Sequence, residues 1–150
     1  MTAGDIRMIS LAEAQHLRHR FLRPDDPIEA VIYDGDDHPQ SVHFGAFVQG
    51  QLIGVMSAFP RPFAPDPAPD DWQLRGLAIV PEFRRAGHAT QLLRAGIAHV
   101  YSHNGLRAWS FVRLTIVPLL RSLGFQEVPG DVVVDPKTGP HHLMWLDLRS

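Results

Sequence analysis

The chain has 150 residues, of which 45% are hydrophobic and 20% are charged, a composition typical of folded globular proteins and unlike disordered or fibrous ones. Its formal net charge of −2 gives no basic footprint for nucleic acid, and the absence of cysteine excludes disulfides, cysteine nucleophiles and thiolate metal sites. No apolar run reaches the roughly 18 residues of a membrane helix, and no signal peptide is visible. These features predict one cytoplasmic domain, residues 1–150, without a membrane or nucleic-acid partner.

The first half of the chain alternates short apolar runs with turn signals. Ser10 and Glu13 form a capping box, which predicts a helix that ends before Pro24. The Gln49-Gly50 pair predicts the turn of a β-hairpin, and five prolines in 60–69 predict an exposed loop. The predicted elements are a strand at 6–9, the helix from 11, a short helix or strand at 28–33, an acidic turn at 34–38, and strands at 42–48 and 52–59.

The second half repeats a strand-then-helix pattern. A glycine at the centre of the strand predicted at 72–80 favours a bulge there. Apolar residues at helical spacing predict a buried stripe that includes Tyr101, on a helix that begins at Ala89 and ends before Asn104-Gly105. The other predicted elements are a strand at 106–112, a helix at 115–123, and strands at 125–134 and 142–148 around a turn at 136–140. The order predicts an α/β fold with a mixed sheet.

The stretch 77–93 joins a strand to a helix through a short turn that contains Gly87. The small residues Ala86 and Ala89 leave the first amides of the helix uncovered, and such amides have no partners within the helix. With the helix dipole and two arginines, Arg84 and Arg85, they would form an anion cradle for a phosphate or pyrophosphate. The alternative is an ordinary corner with solvated arginines.

Two nucleotide-binding motifs are excluded at this turn. It lacks the Gly-Lys-Ser/Thr end of a Walker loop, and it has one glycine where a dinucleotide fingerprint needs three.

The same turn resembles the signature of the GNAT N-acetyltransferases, Gln/Arg-x-x-Gly-x-Gly/Ala. The matching residues here are Arg84-Arg85-Ala86-Gly87-His88-Ala89, preceded by Pro81-Glu82-Phe83 and followed by Leu92-Leu93. Leu123-Gly124-Phe125 is similar to the family's end-of-helix signature, and the element order agrees over nearly the whole chain. The segments 18–24, 42–46 and 139–144 resemble one bacterial branch of small GNAT proteins, whose substrates are mostly unassigned.

The resemblance implies a GNAT fold, with a mixed, mostly antiparallel sheet of six or seven strands, flanked by helices and splayed between the fourth and fifth strands. It implies acetyl-CoA as cosubstrate, an amine as acceptor, no metal and, as in many relatives, a homodimer. The pantetheine arm would pair with the fourth strand at Leu77, Ala78 and Ile79. The pyrophosphate would lie on the cradle: besides Arg84, its residues are Arg85, Ala86, Gly87, His88, Ala89 and Thr90. The amine would attack the thioester directly, with a strand amide polarising the carbonyl.

Two positions depart from the family pattern. Leu120 stands where the family usually has the tyrosine that protonates the leaving thiolate, and Phe111 stands where an asparagine is frequent. The catalytic assignment is therefore open, whereas the cofactor assignment rests on backbone amides. Two hypotheses follow: an active N-acetyltransferase, or a catalytically weak acyl-CoA-binding GNAT module that acts as a sensor or partner domain. A non-CoA anion-binding α/β domain is a third.

The histidines have both functional and structural interpretations. His141 is the candidate general base, because a histidine titrates near neutrality, and the alternative for it and His142 is a structural role in a turn. His99 and His103 have the i, i+4 spacing of metal ligands but no third ligand nearby, which favours a solvated helix face. His43 lies within a strand and is either packed in the sheet or part of the site.

Arginines, aspartates and tryptophans allow similar alternatives. Three arginines could receive an acidic group of the acceptor or serve as surface charge and helix capping: Arg18, Arg23 and Arg75. The aspartates of the acidic turn could attract a cationic amine or be solvated: Asp34, Asp36 and Asp37. Trp72 and Trp109 are predicted to be core or groove wall.

Overall fold

A computed structural model describes residues 5–130, 132–136 and 139–149. Three α-helices occur in this part of the chain: α1 (Leu11–Leu22), α2 (His88–Ser102) and α3 (Val117–Ser122). Eight strands occur there: β1 (Asp5–Met8), β2 (Val42–Val48), β3 (Gln51–Pro60), β4 (Asp71–Ile79), β5 (Arg107–Arg113), β6 (Gln126–Glu127), β7 (Val133–Asp135) and β8 (Gly139–Asp147). Short 3₁₀ turns lie at Ile28–Val31, Pro81–Phe83 and Leu114–Ile116.

The strands form one sheet in the order β1-β2-β3-β4-β5-β8-β6, with β7 beside β8. Every pair is antiparallel except β4–β5, which is parallel. The predicted mixed, mostly antiparallel sheet is confirmed, although it has eight strands rather than six or seven. The difference comes from the single strand predicted at 125–134, which is two short strands, β6 and β7, with Pro129 and Gly130 between them.

The two long helices cover opposite faces of this sheet. The capping box of α1 forms as predicted, with the amide of Glu13 donating to Ser10 and the Glu13 carboxylate accepting from the amide of Ser10. Helix α1 lies on the face that carries Ser57, which accepts a hydrogen bond from Arg18. Helix α2 lies on the other face, where the ring of His99 contacts Trp72. The core between the layers is aliphatic, with Ile53, Met56, Leu74, Leu92 and Val100 almost inaccessible to solvent.

Several predicted boundaries move by one to three residues, and α2 begins at His88 rather than Ala89. The prediction for Tyr101 was wrong: its side chain is 61% exposed, because it lies at the edge of the stripe whose centre is Leu92, Gly96 and Val100. Lys137 and Thr138, in the turn predicted at 136–140, lie outside the described residues. In the described part of the chain, no helix has the length and hydropathy needed to cross a membrane.

Candidate active site

Strand β4 has two halves with different partners. The first half, residues 71–73, lies between β3 and β5 and pairs with both, Gln73 opposite Trp109 being the last parallel pair. A bond from the Ser110 hydroxyl to the Leu74 carbonyl, 2.7 Å long, closes this end. The second half, residues 75–79, pairs only with β3, because β5 continues along β8 instead. The predicted splay is present, and it leaves one backbone edge of residues 75–79 open.

A bulge lies at the point where the strands part. Gly76 and Leu77 both lie opposite Met56, so β4 carries one extra residue here. Gly76 has a φ of +74°, a left-handed conformation that glycine adopts without strain. A Cβ on this residue would also lie 2.8 Å from Nε of Arg18 and 3.1 Å from Cε2 of Tyr33. The site therefore requires glycine for its backbone angle and for the close approach of these side chains.

The turn after β4 has the backbone geometry that the anion-cradle hypothesis requires. Two of its residues have left-handed angles, Arg85 with φ +62° and Gly87 with φ +87°, and Gly87 is the N-cap of α2 without a side-chain cap. Within the described ranges, no protein acceptor bonds the backbone amides of residues 85–90. Alternating backbone angles of this kind gather N–H groups into a concave nest that suits an anion. A Cβ at Gly87 would meet no atom within 4 Å, so the space over the turn is open.

The side chains around the cradle have different roles. Arg84 is exposed, and its Nε donates to the Ile79 carbonyl at 3.1 Å, which ties the turn to the end of β4. Arg85 is exposed at the rim, while Ala86, Ala89 and Thr90 are half-buried and leave the amides accessible. His88 is buried, and its ring packs edge-on against Phe83. Its imidazole therefore supports the turn from inside, so that only its amide is available to a ligand.

Among the described residues, Nε2 of His141 has no hydrogen-bond partner, whereas both ring nitrogens of His142 have contacts. The Gly139 carbonyl can only accept, so Nδ1 of His141 donates to it at 2.9 Å, and in the neutral tautomer that this bond selects Nε2 carries the lone pair. The ring stacks on Phe111, with centroids 5.0 Å apart and planes 18° apart. In His142, Nε2 is hydrogen-bonded to the Val128 carbonyl and Nδ1 faces the Glu127 carboxylate. Both ring nitrogens therefore connect β8 to the segment that contains β6. His141 lies in β8 opposite Arg113, not in the turn.

The remaining histidines are structural. His43 is buried as its strand position predicts, with Nδ1 2.7 Å from the Ser57 hydroxyl, and burial lowers its pKa. The solvated face predicted for His99 was wrong, because its ring contacts Phe44 and Trp72 and stacks on His103 at 3.9 Å. Burial, and then the charge of His103, lower the pKa of His99. Among the described residues, no group of three or more His, Cys, Asp and Glu could hold a metal ion.

Neither role predicted for Arg18 is correct. Its guanidinium is fully buried and makes a bidentate pair with Asp36, at 2.7 and 2.9 Å, so Asp36 is not solvated either. The same guanidinium donates to the Val31 carbonyl and to the Ser57 hydroxyl, which joins α1 to β3. Asp34 and Asp37 are exposed as predicted, and Arg23 lies 3.5 Å from Asp26. A pair between residues 18 apart leaves no local pattern, which explains why sequence reasoning missed it.

The structure also places the leucine, the tryptophans and the phenylalanine that the sequence analysis singled out. Leu120 is completely buried in the core and can donate no proton. Trp72 and Trp109 are buried, and the Trp109 indole donates to the Arg61 carbonyl at 2.9 Å. Sequence reasoning missed the contact between Phe111 and His141, although the departure at Phe111 was itself a signal. Phe111 forms a flat support for the candidate base.

Comparisons with known proteins agree with this geometry. The family model described as the acetyltransferase (GNAT) family matches residues 8–125. The uncharacterized N-acetyltransferase YitI of Bacillus subtilis (strain 168) is 29% identical over 147 residues, which cover 97% of each chain.

Solved structures share the fold at lower identity. The ribosomal-protein-S18-alanine N-acetyltransferase of Escherichia coli superposes with a TM-score of 0.75 at 17% identity, covering 99% of this chain and 96% of that one. A Bacillus subtilis acetyltransferase in complex with CoA superposes with a TM-score of 0.71 at 12% identity, covering 98% and 100%.

Proposed function

The chain belongs to the GNAT family of acetyltransferases and is an N-acetyltransferase, and from this premise we propose that it transfers the acetyl group of acetyl-CoA to a primary amine by direct attack within a ternary complex. The observation that carries the proposal is the continuity of the open half of β4 with the anion cradle. The open edge of residues 75–79 is followed, after the short turn at residues 80–84, by unpaired amides at residues 85–90. A ligand with an amide-bearing arm and a pyrophosphate, as CoA has, matches both.

The cradle fits the pyrophosphate through its backbone. Six amides, those of Arg85, Ala86, Gly87, His88, Ala89 and Thr90, would share the anion with the positive end of the α2 dipole. Arg84 and Arg85 would add positive charge at the rim. The pantetheine arm would bond the open edge of Leu77, Ala78 and Ile79, as an added strand bonds a sheet edge. Because these donors are fixed before binding, the thioester would be positioned at little entropic cost.

In the proposed chemistry, the amine nitrogen attacks the thioester carbonyl, and an amide of the open strand stabilises the oxyanion. The N–C bond forms and the C–S bond breaks, giving the N-acetyl amide and CoA thiol. Nε2 of His141 accepts the amine proton, because it is the ring nitrogen with a free lone pair. No side chain at position 120 protonates the thiolate, so water supplies that proton. The low pKa of a thiol, about 8.5, makes the thiolate a fairly good leaving group.

An acetylation assay tests this proposal with three groups of acceptors: simple amines, amino acids and peptide N-termini. Acetyl-CoA should be consumed with equal amounts of CoA thiol and N-acetyl product. The His141→Ala variant should lower kcat/KM by about 10²–10⁴-fold and flatten the acidic limb of its pH profile. His16→Ala removes an exposed histidine of α1 and should leave both unchanged.

Two results would contradict the proposal. A variant at His141 with an unaltered pH–rate profile would return that histidine to a structural role. Acetyl-CoA binding without turnover of any amine would favour the catalytically weak acyl-CoA-binding module. The cytoplasmic location, the single domain and the homodimer stay predictions.

A further inference from the structure

Arg75 stands at the point where the cleft between β4 and β5 opens. In the sheet it lies opposite Ser57, and it follows Gln73 by two residues, so it shares their face. Gln73 is paired with Trp109, and two residues further along β5 is Phe111, which stacks on His141. Arg75 and His141 therefore border the same face of the cleft, from its two sides. An acceptor that reaches Nε2 of His141 along this face enters a cleft that Arg75 also borders.

The guanidinium of Arg75 is held by an aromatic ring. Its Cζ lies 3.9 Å from the ring centroid of Tyr33, and Cζ of Arg18 lies 4.1 Å from the same centroid. Both guanidinium groups therefore contact the same ring. Stacking of this kind fixes the plane of a guanidinium and leaves its N–H edge free for a ligand. The two arginines differ in the groups that contact this N–H edge.

Arg18 is neutralised, whereas Arg75 is not. Arg18 has the carboxylate of Asp36. Arg75 is exposed and, within the described ranges, makes no hydrogen bond or ion pair with a carboxylate. Arg61, whose charge also reaches Arg75, is bonded to Asp34 at 3.0 Å. Although the residue as a whole is exposed, partial desolvation of its guanidinium lowers the pKa of Arg75; the charges of Arg18 and Arg61 also lower it, while Tyr33 and Asp36 act in the opposite direction. Among the described residues, Arg75 is therefore the arginine of this group whose charge no carboxylate balances, and a bound anion would stabilise it.

A second unsatisfied polar atom lies on this face. The side chain of Gln73 is 5% exposed, and its Oε1 accepts no hydrogen bond from the described residues. A buried acceptor without a donor is uncommon, since leaving it unpaired costs about 1–3 kcal/mol. A polar acceptor molecule with both an anionic group and N–H donors would satisfy both residues.

We propose that the acetyl acceptor carries a carboxylate, which the stacked guanidinium of Arg75 binds while its amine faces His141. The acceptor class is therefore an amino acid or a similar amino-carboxylate. This inference rests on the proposed acetyl transfer to an amine. Arg75 binds substrate, and Tyr33 positions Arg75. Arg18, which is paired with Asp36, contacts the same Tyr33 ring.

The test compares L-amino acids with their carboxamides as acceptors, with each kcat/KM expressed for the free amine so that differences in amine pKa are removed. The acids should exceed the amides by at least tenfold, as expected for a hydrogen-bonded charge pair. Arg75→Gln should reduce this acid-to-amide ratio at least tenfold, through KM for the acid. Arg75→Lys should reduce it less, because lysine keeps the charge and loses the bidentate edge.

Matched variants separate a binding role from a structural one. Arg61→Gln removes the same charge from a neighbouring arginine that already has its carboxylate, and it should keep the ratio. Tyr33→Phe keeps the stacking ring and should keep the ratio, whereas Tyr33→Ala should lower it. The Kd of acetyl-CoA, measured by calorimetry, should be the same in all four proteins that vary Arg75 or Tyr33.

The outcomes distinguish this inference from the function on which it rests. Equal turnover of acids and amides by the wild type overturns the inference and leaves the acetyltransferase proposal intact. The inference is also overturned if Arg75→Gln lowers kcat/KM equally for acids and amides, since equal losses indicate a structural role for Arg75. Acetyl-CoA binding with no turnover of any amino acid also overturns it. Absence of acetyl-CoA binding overturns both.

Discussion

The two halves of β4 belong to one strand and have opposite roles. At residues 71–73, the strand is paired on both sides, and its buried carboxylate, Asp71, accepts from Arg107 and from the amides of Phe63 and Ala68. At residues 75–79, one edge is unpaired, and the charged residue, Arg75, has no carboxylate partner in the part of the chain that the structure describes. The backbone of the first half is satisfied by its two neighbouring strands, whereas the second half keeps an open backbone edge that a ligand could pair with.

The largest expected effect concerns the paired half. Asp71→Asn should lower the free energy of unfolding by about 3 kcal/mol, because it removes one partner of a buried charge pair. Asp66→Asn is the matched control: its carboxylate contacts the same Arg107 but is 83% exposed, so its loss should be under about 1 kcal/mol. Urea unfolding of the three proteins at pH 7 measures both values. Equal losses in the two variants would show that burial does not set the strength of the pair.

The Asp71–Arg107 pair should also make the free energy of unfolding decrease at acid pH. Burial alone would raise the pKa of Asp71, but the hydrogen bonds from Arg107, Phe63 and Ala68 lower it overall. Its contribution is therefore complete above the ordinary carboxyl pKa, about 3.9, and is lost as the pH falls through the lower folded value. Stability of Asp71→Asn should depend less on pH below about 4 than that of the wild type.

The next effect concerns the anion cradle that continues from the open half. Acetyl-CoA at 100 times its Kd should stabilise the wild type by about 2.7 kcal/mol. Gly87→Val should abolish this gain, because a β-branched residue does not adopt φ +87° without strain and would reshape the turn. Gly50→Val is the control, since Gly50 also has a positive φ and open space but lies in the β2–β3 turn. Thermal midpoints with and without acetyl-CoA measure the difference.

If acetyl-CoA still stabilises Gly87→Val, the pyrophosphate binds elsewhere. A gain lost in both variants would point to general destabilisation rather than to the cradle.

The smallest expected effect concerns the proton donor for the leaving thiolate, which Leu120 cannot supply. Tyr33 lies against Gly76 at the open half, and Tyr101 is exposed on α2. Tyr33→Phe and Tyr101→Phe should each leave kcat within roughly tenfold, well below the 10²–10⁴ expected of a general acid. A hundredfold loss in either variant, with folding and acetyl-CoA affinity intact, would identify a relocated proton donor.

The sequence predicts those parts of the molecule whose cause is local. The Ser10–Glu13 capping box, the Gln49-Gly50 turn and the bulge at Gly76 each depend on a few adjacent residues, and each is present. The backbone of the turn at residues 85–90 also has a local cause, because Gly87 and the start of α2 define it. The strand predicted at 125–134 is divided where Pro129 and Gly130 interrupt the pattern, while other boundaries move by one to three residues.

Contacts between distant segments could not be predicted in this way. Arg18, Asp36 and Ser57 come together only when α1, the acidic turn and β3 are packed. The stacking of Arg75 on Tyr33 depends on the same packing, so a list of candidate arginines could not separate the neutralised Arg18 from the free Arg75. For His141, the deciding facts are the bond to Gly139 and the support from Phe111, both of which require β8 beside β5.

Amide hydrogen exchange with and without acetyl-CoA tests the central contrast most directly, since both halves of β4 are observed in one experiment. Acetyl-CoA should increase protection of the amides at the open edge of residues 75–79 and in residues 85–90, while residues 71–73 keep the protection that β3 and β5 already give them. Equal protection of both halves, or no change at residues 85–90 with acetyl-CoA bound, would contradict the account.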